Sequence, residues 1–522
     1  MVKGILLAIY FAVLLFIGFK CRKGANSVDG FVLGGRSVGA WLTAFAYGTS
    51  YFSAVVFIGY AGQFGWKYGI ASTWIGIGNA LIGSLMAWTI LGRRTRLLSQ
   101  HLNASTMPEF FGRRFDSKAL KLIASLIIFV FLVPYTASLY NGLSRLFEMA
   151  FHIDYSVCII MMSVLTAIYV IAGGYLATAV NDFIQGIIML FGLVAVIVAV
   201  IMSKGGFTAA IDSLARVSDS AVSTSPGIFA SFFGPEPLNL LFVIILTSLG
   251  TWGLPQMVQK FYAIKNEDAI RKGTVISTLF AFVIAGGCYF LGGFGRIFGN
   301  EIGMAIGKGG GMMPCGGFDA IIPAMLSNLG PWLIALTVIL VLSASMSTLS
   351  SLVITSSSTL TSDFIKSSIA KRMTPRIEVF IIRIFIVVFI AISAALALVQ
   401  HKSSVTFIAQ LMGISWGALA GSFLAPFLYA LYWKGTTKLA CWVSFIFGSG
   451  LMIINMVEVT RNWLPVILRS PINCGAIAML VGFVIVPLVS LISKAPDRRF
   501  TDRLFECYDR QHPIAAKTAL AD

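Results

Sequence analysis

Apolar runs of about 20 residues succeed one another from end to end of the chain, each long enough to cross a hydrocarbon core as a helix. About thirteen are predicted, near 3–19, 38–64, 69–92, 118–148, 155–172, 180–203, 237–261, 274–298, 330–362, 378–400, 405–432, 439–458 and 473–493. The longer ones are expected to tilt, bend or break. What remains between the runs has no room for a soluble catalytic domain. An all-α polytopic membrane protein is therefore expected, a single transmembrane domain over residues 1–522.

Polar interruptions carry the next level of information. The second run reads Tyr47-Gly48-Thr49-Ser50-Tyr51-Phe52-Ser53-Ala54 at its midpoint, and the ninth reads Ser343-Ala344-Ser345-Met346-Ser347-Thr348-Leu349-Ser350. Lipid offers no hydrogen-bond partner, so such hydroxyl clusters should face protein or a water-filled cavity. The seventh run is interrupted by Gly250, Gly253 and Pro255, each of which weakens the ladder of helix hydrogen bonds. With the runs alternating in direction, all three interruptions fall at one depth. Small residues also serve close helix packing, but packing explains three clusters at one depth less well than one. Runs 2–6 oppose runs 7–11, which suits two inverted five-span units with a broken helix opening each. Residues of about 38–432 would then form the core, with 3–19, 439–458 and 473–493 peripheral.

Composition agrees with this picture. The chain of 522 residues is 57% hydrophobic, 11% charged and has a mean hydropathy of +0.88. Its net charge of +17 reads as a topology signal. Placing the N-terminus outside puts most Lys and Arg on the inner side, among them Arg22, Lys23, Arg36, Arg93, Arg94, Arg96, Arg113, Arg114, Lys371 and Arg510. The positive-inside rule thus predicts an external N-terminus and a cytoplasmic C-terminus. The cations are dispersed between runs, so no nucleic-acid surface is expected. The seven cysteines show no C-x-x-C spacing, and His101, His152, His401 and His512 are far apart, which argues against a transition-metal site. The stretch Lys308–Gly317 is glycine-rich but lacks the G-K-[ST] ending of a phosphate cradle and reads as an outer loop.

On the ninth run Ala344, Ser347 and Thr348 have the i, i+3, i+4 spacing that places one carbonyl and two hydroxyls on one helical face. Carbonyls of Thr49 and Phe52, freed if the second run unwinds, would bring the set to about five hard oxygen ligands. A neutral site of this kind suits sodium in a transporter, which must release its ion in each cycle.

Several motifs in order carry a resemblance: Leu33-Gly34-Gly35-Arg36-Ser37, Met107-Pro108-Glu109-Phe110-Phe111-Gly112-Arg113-Arg114-Phe115, Tyr169-Val170-Ile171-Ala172-Gly173-Gly174-Tyr175-Leu176-Ala177 and Met346-Ser347-Thr348-Leu349-Ser350. The chain resembles the sodium:solute symporter family, closest to its sodium/proline symporter branch. The resemblance implies a LeuT-type inverted 5+5 repeat and sodium-driven uptake of a small organic solute (amino acid, monocarboxylate, sugar or similar) by alternating access. It implies Na+ as coupling ion and no other cofactor. It assigns sodium to Thr49, Phe52, Ala344, Ser347 and Thr348, and places Asp182 on the ion's exit path. Tyr135 and Pro255 match its substrate pocket. Three departures stand out: Tyr51 replaces an aspartate, Thr247 and Thr251 replace a Trp and a Tyr, and Tyr175 replaces a Leu, Met or Phe. The two threonines predict a roomier, more polar pocket than one for proline. Ser53, Trp252, Gln256 and Gln410 are further lining candidates. No Arg or Lys is expected in mid-membrane to pair with a substrate carboxylate. The resemblance and the short loops favour a bacterial plasma membrane. The alternative is a solute sensor built on a transporter fold, which would need a signalling domain; the tail after Ser493 is short for one. An enzyme would need clustered acids, histidines or a nucleophile–base pair at one depth, and none is evident.

Overall fold

The computed structural model describes residues 2–21, 27–151, 153–306, 312–315, 317–327, 329–369, 372–402 and 408–509. Lys308 to Gly311 and Gly316 of the glycine-rich loop lie outside the described residues, as do Arg22, Lys23, His152, Lys371, Arg510 and His512. On either side of that loop, Met304–Ile306 pairs antiparallel with Met312–Pro314, where the sequence had suggested only an irregular loop.

Apart from this strand pair and the connecting turns, the described residues are helical. We label α1 Val2–Lys20, α2 Ala40–Tyr51, α3 Val55–His101, α4 Lys118–Phe151, α5 Tyr155–Ser203, α6 Pro237–Leu249 and α7 Pro255–Ala263. Then follow α8 Glu267–Gly293, α9 Pro331–Ser358, α10 Pro375–Lys402, α11 Ile408–Tyr432, α12 Lys438–Met456 and α13 Pro471–Ile492. Among the described residues nine helices are long and apolar enough to cross a membrane, or ten if the pair α6–α7 counts as one bent span. The difference from thirteen runs has local causes: the first run gives a helix, Leu7–Lys20, too short for that count, and four other runs share two helices. Two expected runs share α3, which turns at Gly69 (φ 60, ψ −141), and two share α5, which kinks at Gly174 (φ 57, ψ −155). Both angles lie in a region that residues with a Cβ rarely enter.

The breaks expected at mid-run are present. α2 stops at Tyr51, Phe52 is extended (φ −106, ψ 101), and the chain becomes helical again at Val55. α6 passes through a tight turn at Gly250–Trp252 before α7 leaves at 41°. Pro255 starts α7, where its missing N–H costs nothing. α9 and α11 form the buried centre: α9 packs on α5 and α4, while α11 lies among α4, α12 and α13. Apolar side chains such as Phe16, Phe191, Leu279, Val399 and Ile492 face outward, as on a lipid-facing surface.

Backbones meet where glycines coincide. A Cβ on Gly448 of α12 would lie 2.3 Å from the Gly421 carbonyl carbon of α11, and one on Gly65 would lie 2.0 Å from Gly292 of α8. Several of the arginines expected on the inner side are buried. Arg36 donates to Ala104 O (2.6 Å) and Arg96 to Ile264 O (2.6 Å), just past α7, while Arg114 reaches Ala430 O (3.2 Å) near the end of α11. Such carbonyls carry the negative end of a helix dipole. Part of the positive charge is thus a set of structural staples.

Candidate functional site

The end of α2 faces the middle of α9. The last ladder bond of α2 runs from Phe52 N to Gly48 O (3.0 Å), so the Thr49 carbonyl is the next in sequence to be released from the ladder. Opposite it, Ala344, Ser347 and Thr348 share one face of α9. Ser347 Oγ lies 3.1 Å from Thr49 O and 3.1 Å from Ala344 O. Thr348 Oγ1 lies 3.1 Å from each of the same carbonyls and 3.5 Å from Ser50 O. Thr49, Ser347 and Thr348 are fully buried and Ala344 nearly so.

Two hydroxyls bring two protons to five close oxygen contacts, so lone pairs outnumber donors. Oxygens at this spacing resemble the ligands of a hard cation: bonds of about 2.3–2.6 Å place neighbouring oxygens roughly 3–3.6 Å apart. The structure therefore brings together four of the five predicted sodium residues. Phe52 adjoins them at the break, but its carbonyl is not among these contacts; its ring stacks on Tyr51 at 4.2 Å.

Tyr51 links the two breaks. Its hydroxyl donates to Thr247 O at 2.6 Å, and its ring lies 6.0 Å from that of Trp416. Thr247 Oγ1 bonds back to Val243 O (2.8 Å), Thr251 Oγ1 to Ser248 O (2.9 Å) and Gly83 O (3.2 Å), and Trp252 Nε1 donates to Ile82 O (3.0 Å). These three residues are tied to backbone, and Tyr51 occupies the space beside Thr247.

Tyr135, Ser53 and Trp416 meet on the other side of Tyr51. Tyr135 packs edge-on against Trp416 with ring centres 6.0 Å apart, and its hydroxyl lies beside Ser53. Ser53 Oγ accepts from Val55 N (3.2 Å) and so caps the restarting helix. Both amide atoms of Gln256 are buried without a hydrogen-bond partner, and the buried Tyr135 Oη and Trp416 Nε1 lie close to each other and to Ser53 without closing a full hydrogen bond. Buried polar groups are usually satisfied, so these atoms are suited to receive a ligand. Gln410 is half-buried at the start of α11 and is not brought to this group by any described contact, and Pro255 serves as the first residue of α7. Trp416 was missed in the sequence; Gly413-Ile414-Ser415-Trp416-Gly417, another small-polar cluster inside an apolar run, was the available signal.

A buried cation also lies near this group, at a position the sequence did not single out. Lys260 of α7 is 1% exposed, and its Nζ donates to Ser351 Oγ at 2.9 Å. Ser351 Oγ in turn lies 2.8 Å from Ser50 Oγ, next to the released carbonyl of Thr49. Asp182, expected at an inner helix end, is fully buried, and Lys260 is the cation whose charge acts on it. The sequence pointed elsewhere because a lysine near the end of an apolar run ordinarily snorkels to the interface.

A profile of the sodium:solute symporter family matches residues 31–448. The chain belongs to the sodium:solute symporter family. It is 29% identical over 504 residues to a sodium/proline symporter of Staphylococcus aureus, covering 94% of this chain and 91% of that one. It is 26% identical over 497 residues to the osmoregulated proline transporter OpuE of Bacillus subtilis, covering 94% of each. The fold is similar to that of a substrate-bound, outward-open Na+-coupled sialic acid symporter, with a TM-score of 0.70 at 17% identity over 95% of this chain and 99% of that one. The family member described here is thus a multi-pass membrane protein with the LeuT-type fold, whose function is sodium-coupled transport of a small solute.

Proposed function

We propose that Thr49, Phe52, Ala344, Ser347 and Thr348 carry the coupling sodium, and that Tyr135, Trp416, Ser53 and Gln256 receive a small neutral or zwitterionic solute. The observation that carries this reading is the convergence of Thr49 O, Ala344 O, Ser347 Oγ and Thr348 Oγ1, with more lone pairs than protons to share. The site has no formal charge of its own, which suits an ion that must leave again. The unpartnered Gln256 amide, with the phenol and indole beside it, offers both donors and acceptors. They include no ionised group, which favours a neutral polar solute, or a zwitterion whose carboxylate meets the N-terminal end of a broken helix. The sodium/proline symporter relatives support an amino-acid-like solute. Tyr51 and the two threonines weigh against proline itself.

In this reading the N-terminus is outside and the C-terminus cytoplasmic in a bacterial plasma membrane, and sodium entering down its gradient drives uptake. One charge moved through the potential supplies about 2.3 kcal/mol per 100 mV. A thermal-stability screen of the purified protein against amino acids, monocarboxylates, sugars and nucleobases, each in sodium and in potassium, tests it. A solute that stabilises in sodium alone is the expected result. Equal stabilisation in both salts would remove sodium coupling from the reading.

A further inference from the structure

The last described helix, α14 (Arg498–Asp509), lies across the ends of other helices. It is amphipathic: Thr501, Leu504, Phe505 and Cys507 are buried, whereas Arg498, Arg499, Asp502, Arg503 and Glu506 are exposed. Its inner face covers a seam between two groups of helices. On one side α2, α3, α6, α7 and α8 are tied to one another. Tyr47 Oη donates to Gly83 O (2.7 Å), Trp252 Nε1 to Ile82 O and Arg96 to Ile264 O, and Ser84 and Ser277 share a hydrogen bond of 2.8 Å. On the other side α11 is tied to α4. Ser415 Oγ donates to Phe131 O (2.5 Å), and Arg114, just before α4, reaches Ala430 O and Trp433 O. α14 touches both sides at once. The Tyr508 ring centre lies 4.6 Å from the Arg94 guanidinium of α3, which has the Tyr432 ring as a second neighbour at 4.1 Å. One turn earlier Phe505 lies 5.3 Å from the Arg114 guanidinium, and Asp502 pairs with Lys434, between α11 and α12, at 2.7 Å. Two bonds cross the seam directly: Arg94 Nη1 donates to Leu431 O (3.0 Å) and Tyr432 Oη to Ile90 O (2.6 Å). Tyr508 covers the guanidinium that makes the first of them.

We infer that α14 is a strap that holds the inner side of the transporter closed: the α3 and α11 ends part only after α14 has left Arg94 or has left Arg114 and Lys434. The inference rests on the orientation proposed above, which puts this seam on the cytoplasmic side. Each hold is of a kind that can be broken and remade within a cycle. A cation–π contact or a solvent-exposed ion pair contributes about 1 kcal/mol or less, and Lys434 and Asp502 are both more than half exposed. Losing one hold therefore leaves the other to keep α14 nearby and bring it back. The strap lies away from the sodium cradle and the solute group, so it acts on the balance between outer-open and inner-open states and not on the ligands themselves.

The test is hydrogen–deuterium exchange of purified full-length protein in lipid nanodiscs, in sodium and in potassium. Two variants undock α14: Phe505→Ala with Tyr508→Ala, and Lys434→Asp, which faces Asp502 with a like charge. In both, residues 498–509 should lose protection. Residues 255–263 at the inner side should then exchange roughly fivefold faster, the effect of losing one or two exposed cation–π contacts. Residues 61–69 at the outer side should exchange more slowly, because the outer-open state is depopulated. Adding Asp502→Lys to Lys434→Asp restores the pair with its charges exchanged and should return all three segments to wild-type values. Loss of protection in 498–509 with no change elsewhere overturns the inference. So does faster exchange at both ends together, which marks α14 as packing alone, and so does a failure of the exchanged pair to restore. If α14 stays protected in both variants, a chain ending at Lys494 decides by the same opposite shifts. Wild-type exchange that is the same in sodium and in potassium would count against the sodium reading, while the contrast among variants would still decide the role of α14.

Discussion

Ser347 and Thr348 each present one hydroxyl to two or three carbonyl oxygens, and no other pair of side chains is placed to do so between α2 and α9 among the described contacts. Replacing both with alanine removes two ligands from the cradle and leaves buried carbonyls without donors. The sodium concentration for half-maximal stabilisation or uptake should rise at least about tenfold, while stability in sodium-free buffer falls by about 1–3 kcal/mol. Unchanged sodium dependence in Ser347→Ala with Thr348→Ala would eliminate the site. At this scale the sequence was legible where helix periodicity alone sets geometry, as for Ala344, Ser347 and Thr348. It was not legible for Trp416 and Lys260. An indole in an apolar run looks like packing, and a lysine near a run's end looks interfacial, until tertiary contacts enclose them.

Elements were legible to the extent that their boundaries depend on local chemistry. Gly250, Gly253 and Pro255 marked the break between α6 and α7, and it lies there. The midpoint of the second run was recognised, and the break falls there, after Tyr51, with the ladder holding through Phe52 N. Helices α3 and α5 merged pairs of expected runs, since single glycines can turn a helix without any polar interval to reveal it. Which helices touch was legible only for the second and ninth runs, through their shared oxygens; glycine contacts are pairwise and name no partner in one sequence. The α11–α12 contact gives a test of that pairing. A Cβ on Gly448 would meet Gly421 and Ser422 backbone atoms at 2.3–2.6 Å, and backbone cannot rotate away. Gly448→Val should therefore cost several kcal/mol, at or above the usual 1–3 kcal/mol of overpacking. Thermal unfolding in detergent would register this as a large loss of Tm, whereas Gly450→Val, with open space around it, should be nearly silent.

Across the whole molecule, the connection between α5 and α6 is tied down to the start of α3 and the end of α8. Arg296, just beyond α8, pairs with Asp219 at 3.0 Å, donates to Trp66 O at 2.6 Å and lies 3.8 Å from the Phe229 ring centre. Both charges are nearly buried. Breaking such a pair from one side typically costs about 3–5 kcal/mol. Arg296→Met should destabilise the fold by that order in chemical or thermal unfolding, and Asp219→Asn in the same chain should recover part of it. If the double variant is no better than Arg296→Met, the packing of the guanidinium on its aromatic neighbours, and not the ion pair, holds this end. The net charge was legible from composition, but its division between interface and interior was not. Arg36, Arg96 and Arg114 are staples to backbone carbonyls that only the folded arrangement creates.

The position of Lys260 also bears on how the chain is made. Asp182 precedes it in synthesis, but Ser351, its hydrogen-bond acceptor, follows 91 residues later. At about 5–20 residues per second, the ribosome needs roughly 5–18 seconds to supply it. During that interval α7, only nine residues long, must carry an ammonium beside lipid with Asp182 as the partner already made. Removing that carboxylate should therefore show itself first in membrane insertion: pulse-labelled Asp182→Asn chains would linger at the translocon or be degraded before α9 arrives.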